Sequence, residues 1–563
     1  MMLSLAGCGK FLEEKTYSFI SGDDLYKDET GLTAALTGIY NVLIPNNIQG
    51  TSVDMWGKHM QYLTGLGTDE LINANTSQAN EPSLIYLASF DYNVEADAFY
   101  TTWFGLYVGI DRANNLIEKA PAVDMDPAIK EQMIAEAKFL RGYFQFCLAF
   151  LWGGVPAPRQ PLEDPRAPRL SLETVYDYII DDLKEAYQIL PARNAKSGRV
   201  DKWCAAGMLG KVYLYLASCK EYGVGNDLGA VSDLEINSFS WVDHTAMYID
   251  AEKVLQDTYD NSAYTMISPY KHLFYWSTYS SVAKDETMFS AMCAPGTGSY
   301  LVLNRLWSLQ GPNSTGQGYG WVRPLNELTK KYHPQDPRRA HNITGHTPEP
   351  VNTELVGGLP YPVPNVVNAA RANECFGKIR NFTPDINTSL AIPAWASVYS
   401  WPLLRFADVA LMYAEVLYKN NKEATARTVL HAVRLRSASD ATFPITVNAI
   451  QYPNAEAFAT FLDDYYKKTD MVEELLDERS RELCGESWRR IDLIRTGQLA
   501  NAIDAIDVTT TVAGGNGHWN TNNNIARNMK ANYAKYKIWY PIPKRELEVN
   551  RNLVQNAGYV AEQ

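Results

Sequence analysis

The sequence predicts a mainly α protein that contains pairs of helices and an irregular, loop-rich part. In the first half of the chain, apolar residues recur every three or four positions over long segments, which is typical of amphipathic helices. Proline and glycine residues separate these segments at intervals that suit helical hairpins. Between about residues 262 and 401 this pattern gives way to Gly, Pro, Asn and Thr with irregularly spaced aromatic residues, which indicates functional loops.

Composition narrows the class of protein. The chain has 563 residues, 46% of them hydrophobic, and can bury a large core. Its net charge of −13, without a dense Lys/Arg stripe, disfavours nucleic acid as a partner. No stretch of 18 apolar residues occurs, so we expect any membrane attachment to be through lipid alone. Apart from Cys8, the six cysteines show no CxxC spacing and are expected to be free and mostly buried.

The first predicted hairpin lies between residues 99 and 152. Its first helix carries an apolar face with Trp103 and Tyr107, and its second runs from about Ala128 to Trp152. Gly153 and Gly154 are expected to end the second helix, since glycine commonly follows helix C-termini. The prolines that follow keep the chain extended.

Further helices continue the pattern. Ser171 is a candidate N-cap for a helix that Pro191 ends, and a second helix follows at residues 201–219. Other helices are predicted at residues 245–261, 403–420 and 423–436, and an exposed loop at residues 508–532. Helix pairs of this kind belong to tetratricopeptide-like repeats, here interrupted by the loop-rich part.

Several separated segments resemble one known family. They include GLTAALTGIY at residues 31–40, AEAKFLRGYFQFCLAFLWGGVP at 135–156, RFADVALMYAE at 405–415, ERSRELCGESWRRIDLIR at 478–495 and YPIP at 540–543. In this order and spacing they resemble the SusD/RagB family of outer-membrane nutrient-binding lipoproteins. The chain departs from the family at Ala557, where the family usually has proline.

This resemblance implies a fold and a function. The fold is four helical repeat pairs packed against an irregular second part (SusD-like). The implied function is a cell-surface, glycan-binding lipoprotein on the outer face of the outer membrane, which captures oligosaccharide and delivers it to a SusC-like TonB-dependent transporter. Two alternatives stay open: a RagB-like lid that binds peptide, and a helical-repeat scaffold without a small ligand.

The start of the chain contains a candidate lipidation site. Leu5-Ala6-Gly7-Cys8 resembles the lipobox at which bacterial lipoproteins are acylated on cysteine. Few residues precede it, so we expect Met1 to lie within a longer signal peptide. We expect Cys8 to carry the lipid and the residues after it to form a tether.

We expect five regions along the chain. Residues 1–17 would be the signal-peptide remnant, lipidation site and tether, and residues 18–261 the N-terminal SusD-like region with helical repeat pairs. Residues 262–401 would be the loop-rich ligand-binding part, residues 402–437 a further helical repeat pair, and residues 438–563 the C-terminal SusD/RagB region.

Candidate ligand-binding residues are loop aromatics beside amide and charged groups. A sugar ring pairs its C–H face with an aromatic ring and its hydroxyl groups with polar side chains. Two regions fit this description, residues 73–92 and residues 275–323. We expect the ligand to contact residues from this set: Asn73, Asn75, Tyr86, Tyr92, Tyr275, Trp276, Tyr279, Tyr300, Trp307, Trp321 and Arg323.

No catalytic residue, metal or cofactor is expected. Glu478 and Glu482 lie four positions apart among arginines, which predicts an ion-pair network on a helix surface with ionised carboxylates. His333, His341 and His346 lack metal-ligand spacing. The acidic pairs at residues 69–70 and 285–286 could contribute to a calcium site, but neither matches an EF-hand loop.

Overall fold

The computed structural model describes residues 24–48, 51–53, 55–73, 82–161, 163–274, 283–293, 322–345, 352–356, 359–363, 374–378, 400–509 and 518–560. Its α-helices are α1 (Glu29–Tyr40), α2 (Met60–Gly65), α3 (Pro82–Ser89), α4 (Asp97–Lys119), α5 (Pro127–Trp152), α6 (Leu172–Ile189), α7 (Lys202–Glu221), α8 (His244–Asn261), α9 (Asn326–Lys330), α10 (Pro337–Asn342), α11 (Phe406–Lys419), α12 (Glu423–Ala438), α13 (Ala455–Tyr466), α14 (Met471–Glu482), α15 (Arg489–Arg495), α16 (Leu499–Asp504), α17 (His518–Asn532) and α18 (Lys544–Val549). None of these helices is long and apolar enough to span a membrane.

Helices α4 to α7 form the two predicted hairpins. Asp126 caps α5 by accepting hydrogen bonds from the N–H groups of Ala128 and Ile129, and proline at the first helical position suits the helix start. Gly153 ends α5 with a φ of 78°, a left-handed conformation that favours glycine. Ser171 caps α6, as predicted, by accepting from the N–H of Thr174.

The repeat series that the sequence interrupts is continuous in space. Within the described residues, helices α4, α5, α6, α7, α8, α11, α12 and α13 each pack against the next. Helix α8 therefore contacts α11 although the loop-rich part separates them along the chain. Counted in chain order, these eight helices make four pairs.

The strands are short and pair two by two. They are β1 (Asn46–Ile48), β2 (Thr51–Val53), β3 (Leu71–Asn73), β4 (Thr287–Ala291), β5 (Val322–Pro324), β6 (Ile343–Gly345), β7 (Asn352–Val356), β8 (Leu359–Val363), β9 (Glu374–Phe376), β10 (Trp401–Arg405), β11 (Ile445–Val447) and β12 (Ile450–Tyr452). The antiparallel pairs are β1–β2, β3–β5, β4–β10, β6–β9, β7–β8 and β11–β12. Four of these six pairs, all except β1–β2 and β11–β12, include at least one strand of the loop-rich part.

Two predicted boundaries were wrong. The predicted helix 403–420 begins only at Phe406, because residues 401–405 form strand β10. This strand pairs with β4, and all five of its residues are buried. A short apolar run of this kind has the same pattern in a buried strand and in a buried helix. Part of the predicted exposed loop 508–532 is helix α17, whose buried Ile525, Ala526 and Met529 form an apolar face.

Four of the described cysteines have free thiols, as predicted. They are Cys147, Cys204, Cys219 and Cys484, and all four are buried. Burial raises the pKa of the Cys484 thiol to about 12, which leaves it protonated at neutral pH. These cysteines are therefore small core residues.

Candidate functional site

Strands β3 and β5 bring the two predicted ligand regions together. They pair antiparallel, with Asn73 opposite Val322 and Ile72 opposite Arg323. Residues 74–81 follow β3 directly, and residues 294–321 lead directly into β5. The described ends of the two regions are therefore neighbours, although the regions are far apart in sequence.

The ends of other loop-rich segments lie at the same place. Strand β9 packs beside β5, and Lys378 follows it. The ammonium of Lys378 lies 4.7 Å from the ring centre of Phe274, after which residues 275–282 begin. One face of the molecule thus bears the attachment points of the segments that carry most of the predicted aromatic residues.

Four of the predicted ligand residues lie in the described part of the chain. Tyr86, on α3, is half-buried and leaves part of its ring accessible. Tyr92 is 8% exposed and packs edge-on against Phe99, at 5.3 Å between ring centres. Asn73 and Arg323 are buried within the β3–β5 pair. Tyr86 is therefore best placed of the four to reach a ligand.

The other predicted positions lie outside the described residues. They are Asn75, Tyr275, Trp276, Tyr279, Tyr300, Trp307 and Trp321, together with the lipidation candidate Cys8 and the metal candidate His346.

The other two histidines of the candidate metal group, His333 and His341, pack against different aromatic rings. His333 packs edge-on against Tyr465 at 4.8 Å between ring centres, and His341 stacks against Phe274 at 5.7 Å.

The predicted surface ion-pair network is instead buried, so its expected position was wrong. Glu478 and Glu482 on α14 are both 0% exposed. Arginines from distant segments cover them, and only the local arginines were visible in the sequence. We call this group the buried ionic cluster; its members are Glu286, Arg338, Arg405, Arg434, Arg436, Glu478, Arg481, Glu482 and Glu486.

Arg405, at the end of β10, lies at the centre of the buried ionic cluster. Its guanidinium donates two hydrogen bonds of 2.8 Å to the carboxylate of Glu486. It donates a third, 2.6 Å long, to Glu286. Lys378 also donates to Glu486 at 2.6 Å. The cluster and Lys378 together therefore connect the strand pair β4–β10 to the segment after β9.

Two carboxylates of the cluster, Glu478 and Glu482, stay ionised, whereas burial outweighs Arg436 and Arg405 at Glu286 and raises its pKa. Burial alone would raise the pKa of Glu482, but Arg436, Arg405 and Arg338 outweigh it and lower the pKa to about 2. The pKa of Glu478 is likewise held well below its usual range by three guanidinium groups despite burial. A general acid needs a raised pKa, so this pair cannot act as an acid–base pair.

A second set of charges lies directly below β3. Arg489 donates two hydrogen bonds to Asp69, and Lys331 donates a third at 2.7 Å. Glu70 accepts a hydrogen bond from the Ser480 hydroxyl at 2.6 Å. Its pKa is raised to about 7, chiefly by burial, which outweighs Arg489 and Lys331.

These contacts give the acidic pairs a structural role. Asp69 is paired with Lys331 and Arg489, so the positive charges that neutralise it come from the protein. Glu286 is likewise paired with Arg405 and Arg436. Within the described residues, no group of three or more His, Cys, Asp or Glu side chains could hold a metal ion. Glu70 is 4% exposed and too enclosed to reach a substrate.

Comparison with known proteins identifies the family. The model of the SusD family matches residues 285–559, and a second model, described as starch-binding and associating with the outer membrane, matches residues 10–214. The two matches follow one another along the chain and together span most of it. The chain belongs to the SusD family.

Individual relatives agree with this assignment. SusD-like protein P25 of Formosa agariphila is 26% identical, over 99% of this chain and 98% of its own length. A laminarin-binding SusD-like protein of solved structure is 22% identical, with a TM-score of 0.66 over 95% of this chain and all of its own. Surface glycan-binding protein A from Bacteroides thetaiotaomicron, solved with laminarihexaose, is 18% identical, with a TM-score of 0.66 over 94% of this chain and all of its own.

Sequence reasoning missed the partners that hold the site together. Asp69 and Glu70 were considered as calcium ligands, whereas their partners Lys331, Ser480 and Arg489 lie hundreds of positions away. No local spacing connects these residues. The one available signal was the excess of arginine in residues 478–495, which implied acidic partners without naming them.

Proposed function

We propose that this protein is a non-catalytic surface glycan-binding protein. It captures an oligosaccharide and delivers it to a SusC-like TonB-dependent transporter in the outer membrane. The observation that carries the proposal is the β3–β5 pair, which joins the ends of the two predicted ligand regions. Membership of the SusD family supports it, as do the laminarin and laminarihexaose named for two proteins of the same fold.

The ligand would bind to aromatic rings beside polar groups on the face that bears the loop attachment points. Trp276 and Trp307 are the leading contacts among the predicted residues, since tryptophan offers the largest ring face to a sugar. The buried ionic cluster would hold the base of this face in one geometry. Its carboxylates are ion-paired, which supports binding without chemistry.

Titration calorimetry with purified protein tests glycan capture. We would use laminari-oligosaccharides and malto-oligosaccharides first, then other plant and host glycans, and recover each ligand for chromatography. Binding with intact ligand is the expected result, and Trp276→Ala or Trp307→Ala should weaken it at least tenfold. Trp241→Ala is the matched control, because Trp241 is half-buried elsewhere and donates to the Ser238 carbonyl.

Other outcomes would decide against parts of the proposal. Cleavage of a bound glycan would contradict the non-catalytic role. Full affinity in both tryptophan variants would remove those two residues from the site. Binding of peptides in place of glycans would favour the RagB-like alternative, and a stable transporter complex without any small ligand would favour the scaffold.

Lipid anchorage at Cys8 would place the protein at the membrane. The family description associates one part of the family with the outer membrane. A clickable fatty acid fed to the native host should label the wild type but not Cys8→Ala, and the variant should leave the membrane fraction. A Cys8→Ala protein that stays membrane-bound would contradict lipid anchorage at Cys8.

Co-purification tests the transporter partner: a tagged wild-type protein should co-purify with a SusC-like barrel.

A further inference from the structure

A cavity lies on a part of the molecule away from the β3–β5 pair. Its volume is about 550 Å³, within the range of ligand-binding cavities. Helix α4, the segment 156–170, helix α6 and the chain from α18 onward form its walls. The residues that matter here are Tyr107, Pro156, Arg159, Tyr178, Glu546 and Leu553.

The walls of this cavity are held in place before any ligand arrives. Tyr107 donates a 2.6 Å hydrogen bond from its hydroxyl to the carbonyl of Pro156. Asn550 donates to the carbonyl of Ala167 at 2.9 Å. Five prolines between residues 156 and 168 restrict the backbone of that segment. A cavity with fixed walls costs little ordering entropy when it binds.

The polar groups of the cavity are mostly acceptors. Among the described residues that line it, Glu163, Asp164 and Glu546 are acidic, and Arg159 carries the single positive charge. Arg159 is already bound to Asp182 through two hydrogen bonds of 2.8 and 2.9 Å, and its guanidinium stacks on Tyr178. Glu163 already accepts hydrogen bonds from the N–H groups of Arg159 and Gln160, and Asp164 accepts one from that of Arg166. The carboxyl of Glu546, which is hydrogen-bonded to Trp103, keeps acceptor capacity for a donor on a ligand.

Arg169 lies behind the wall of the cavity, is not among the residues that line it and does not add a donor to its lining. Arg169 is buried, and its guanidinium donates to the carbonyl oxygens of Gly154, Trp152 and Val554. The carboxyl of Glu546 is half-buried, so a cation that reaches it is only partly screened by water.

We propose that this cavity binds an arginine side chain presented by another polypeptide. The planar guanidinium suits a space between tyrosine and proline rings and can donate two hydrogen bonds to the Glu546 carboxylate. The apolar stem of the arginine would pack against Leu553. This inference is independent of glycan capture.

A polypeptide fits this surface better than a free small molecule. Val549 and Val554, which flank lining residues along the chain, are 72% and 56% exposed. Exposed apolar residues beside an acidic cavity would be covered by the residues on either side of an inserted arginine. Arginine anchors that enter fixed pockets often provide most of the binding energy at such contacts.

Two tripeptides that differ in charge but hardly in shape test the proposal. N-acetyl-Gly-Arg-Gly-amide is titrated against the full-length protein, and the peptide with citrulline in place of arginine serves as the neutral isostere. We expect the arginine peptide to bind at least tenfold more tightly, a difference of about 1.4 kcal/mol. Glu546→Gln should abolish that difference. Glu548→Gln, the same charge change at an exposed position of α18, should retain it.

A third variant separates the cavity from general surface charge. Ala167→Trp places a large ring into the cavity and should abolish binding of both peptides. If Ala167→Trp does not fold, the test of the proposal is the comparison of the two peptides in Glu546→Gln. Equal affinity for the two peptides would overturn the proposal. So would unchanged discrimination in Glu546→Gln, or an arginine-peptide affinity weaker than about 10 mM.

Discussion

Arg489 donates two hydrogen bonds, 2.8 and 2.7 Å long, to the carboxylate of Asp69 across 420 positions of the chain. Both side chains are buried. Asp69 precedes β3, and Arg489 is the first residue of α15. The position of β3, and with it the start of one predicted ligand region, is therefore set by an ion pair with the C-terminal part of the chain.

Breaking this ion pair should destabilise the protein. Asp69→Asn removes the carboxylate that Arg489 and Lys331 both contact at 2.7 Å. The nearest remaining carboxylates are Glu70, 3.7 Å from the buried Arg489, and Asp477, 3.6 Å from Lys331. Loss of one partner of a buried pair typically costs about 3 kcal/mol. We expect this decrease in unfolding free energy by urea denaturation followed by circular dichroism.

An exposed ion pair supplies the control for Asp69. Asp227 pairs with Lys535, and both side chains are more than half exposed. Asp227→Asn should leave the denaturation midpoint unchanged, because water screens exposed pairs. Equal losses of unfolding free energy in the two variants would mean that the buried Asp69–Arg489 pair stabilises the protein no more than an exposed pair does.

Glu70 should give the protein a pH-dependent stability of unusual sign. Its pKa is about 7 in the folded protein against an ordinary value of 4.5. Below about pH 4.5 both states bind the proton; between pH 4.5 and 7 only the folded state keeps it, so rising pH favours unfolding. The loss totals about 3 kcal/mol and is complete above pH 7.

Glu70→Gln removes this dependence. Subtracting the unfolding free energy of the variant from that of the wild type should give a constant below about pH 4.5, a fall up to pH 7 and a new constant above it. Urea denaturation at closely spaced pH values measures the difference. Parallel curves for the two proteins would show that Glu70 does not titrate in this window.

Gly154 should not tolerate a side chain. A Cβ atom at this position would lie 2.2 Å from the backbone oxygen of Leu170, which cannot move aside as a side chain can. Gly154→Ala should therefore destabilise the protein by about 2 kcal/mol or more, in line with overpacked sites. Thermal unfolding monitored by circular dichroism gives the comparison.

Gly38 is the matched control for this substitution. It lies inside helix α1, and nothing would come within 4 Å of an added Cβ. Gly38→Ala should stabilise the protein by about 0.5–1 kcal/mol, since alanine favours helix over glycine. A destabilised Gly38→Ala would mean that the cost at Gly154 is not specific to its contact with Leu170.

The helices of the repeat series were predictable because their signals are local. The N-cap at Ser171 and the stop at Gly153 lie within a few residues of the helix ends that they determine. Strand β10 was not predictable, because its burial depends on β4, more than a hundred positions earlier. The same holds for the position of Glu478, which arginines from other segments cover.

The candidate site was predictable only in part. Its two regions were found from aromatic residues beside amides, and their proximity depends on the β3–β5 pair, which no local pattern announces. Composition could not separate Tyr86, half-buried on α3, from Tyr92, which packs in the core. Burial of a single ring depends on the neighbours that folding brings to it.

Tyr86 provides the test of the site within the described residues. If the ligand lies over the face where β3 meets β5, the accessible part of the Tyr86 ring on α3 should contribute to the affinity. Tyr86→Ala should weaken glycan binding severalfold in titration calorimetry without loss of the folded state. Tyr418→Ala is the matched control, because Tyr418 is also half-buried but lies on α11 of the repeat series. An affinity loss in both variants, or in neither, would place the ligand elsewhere.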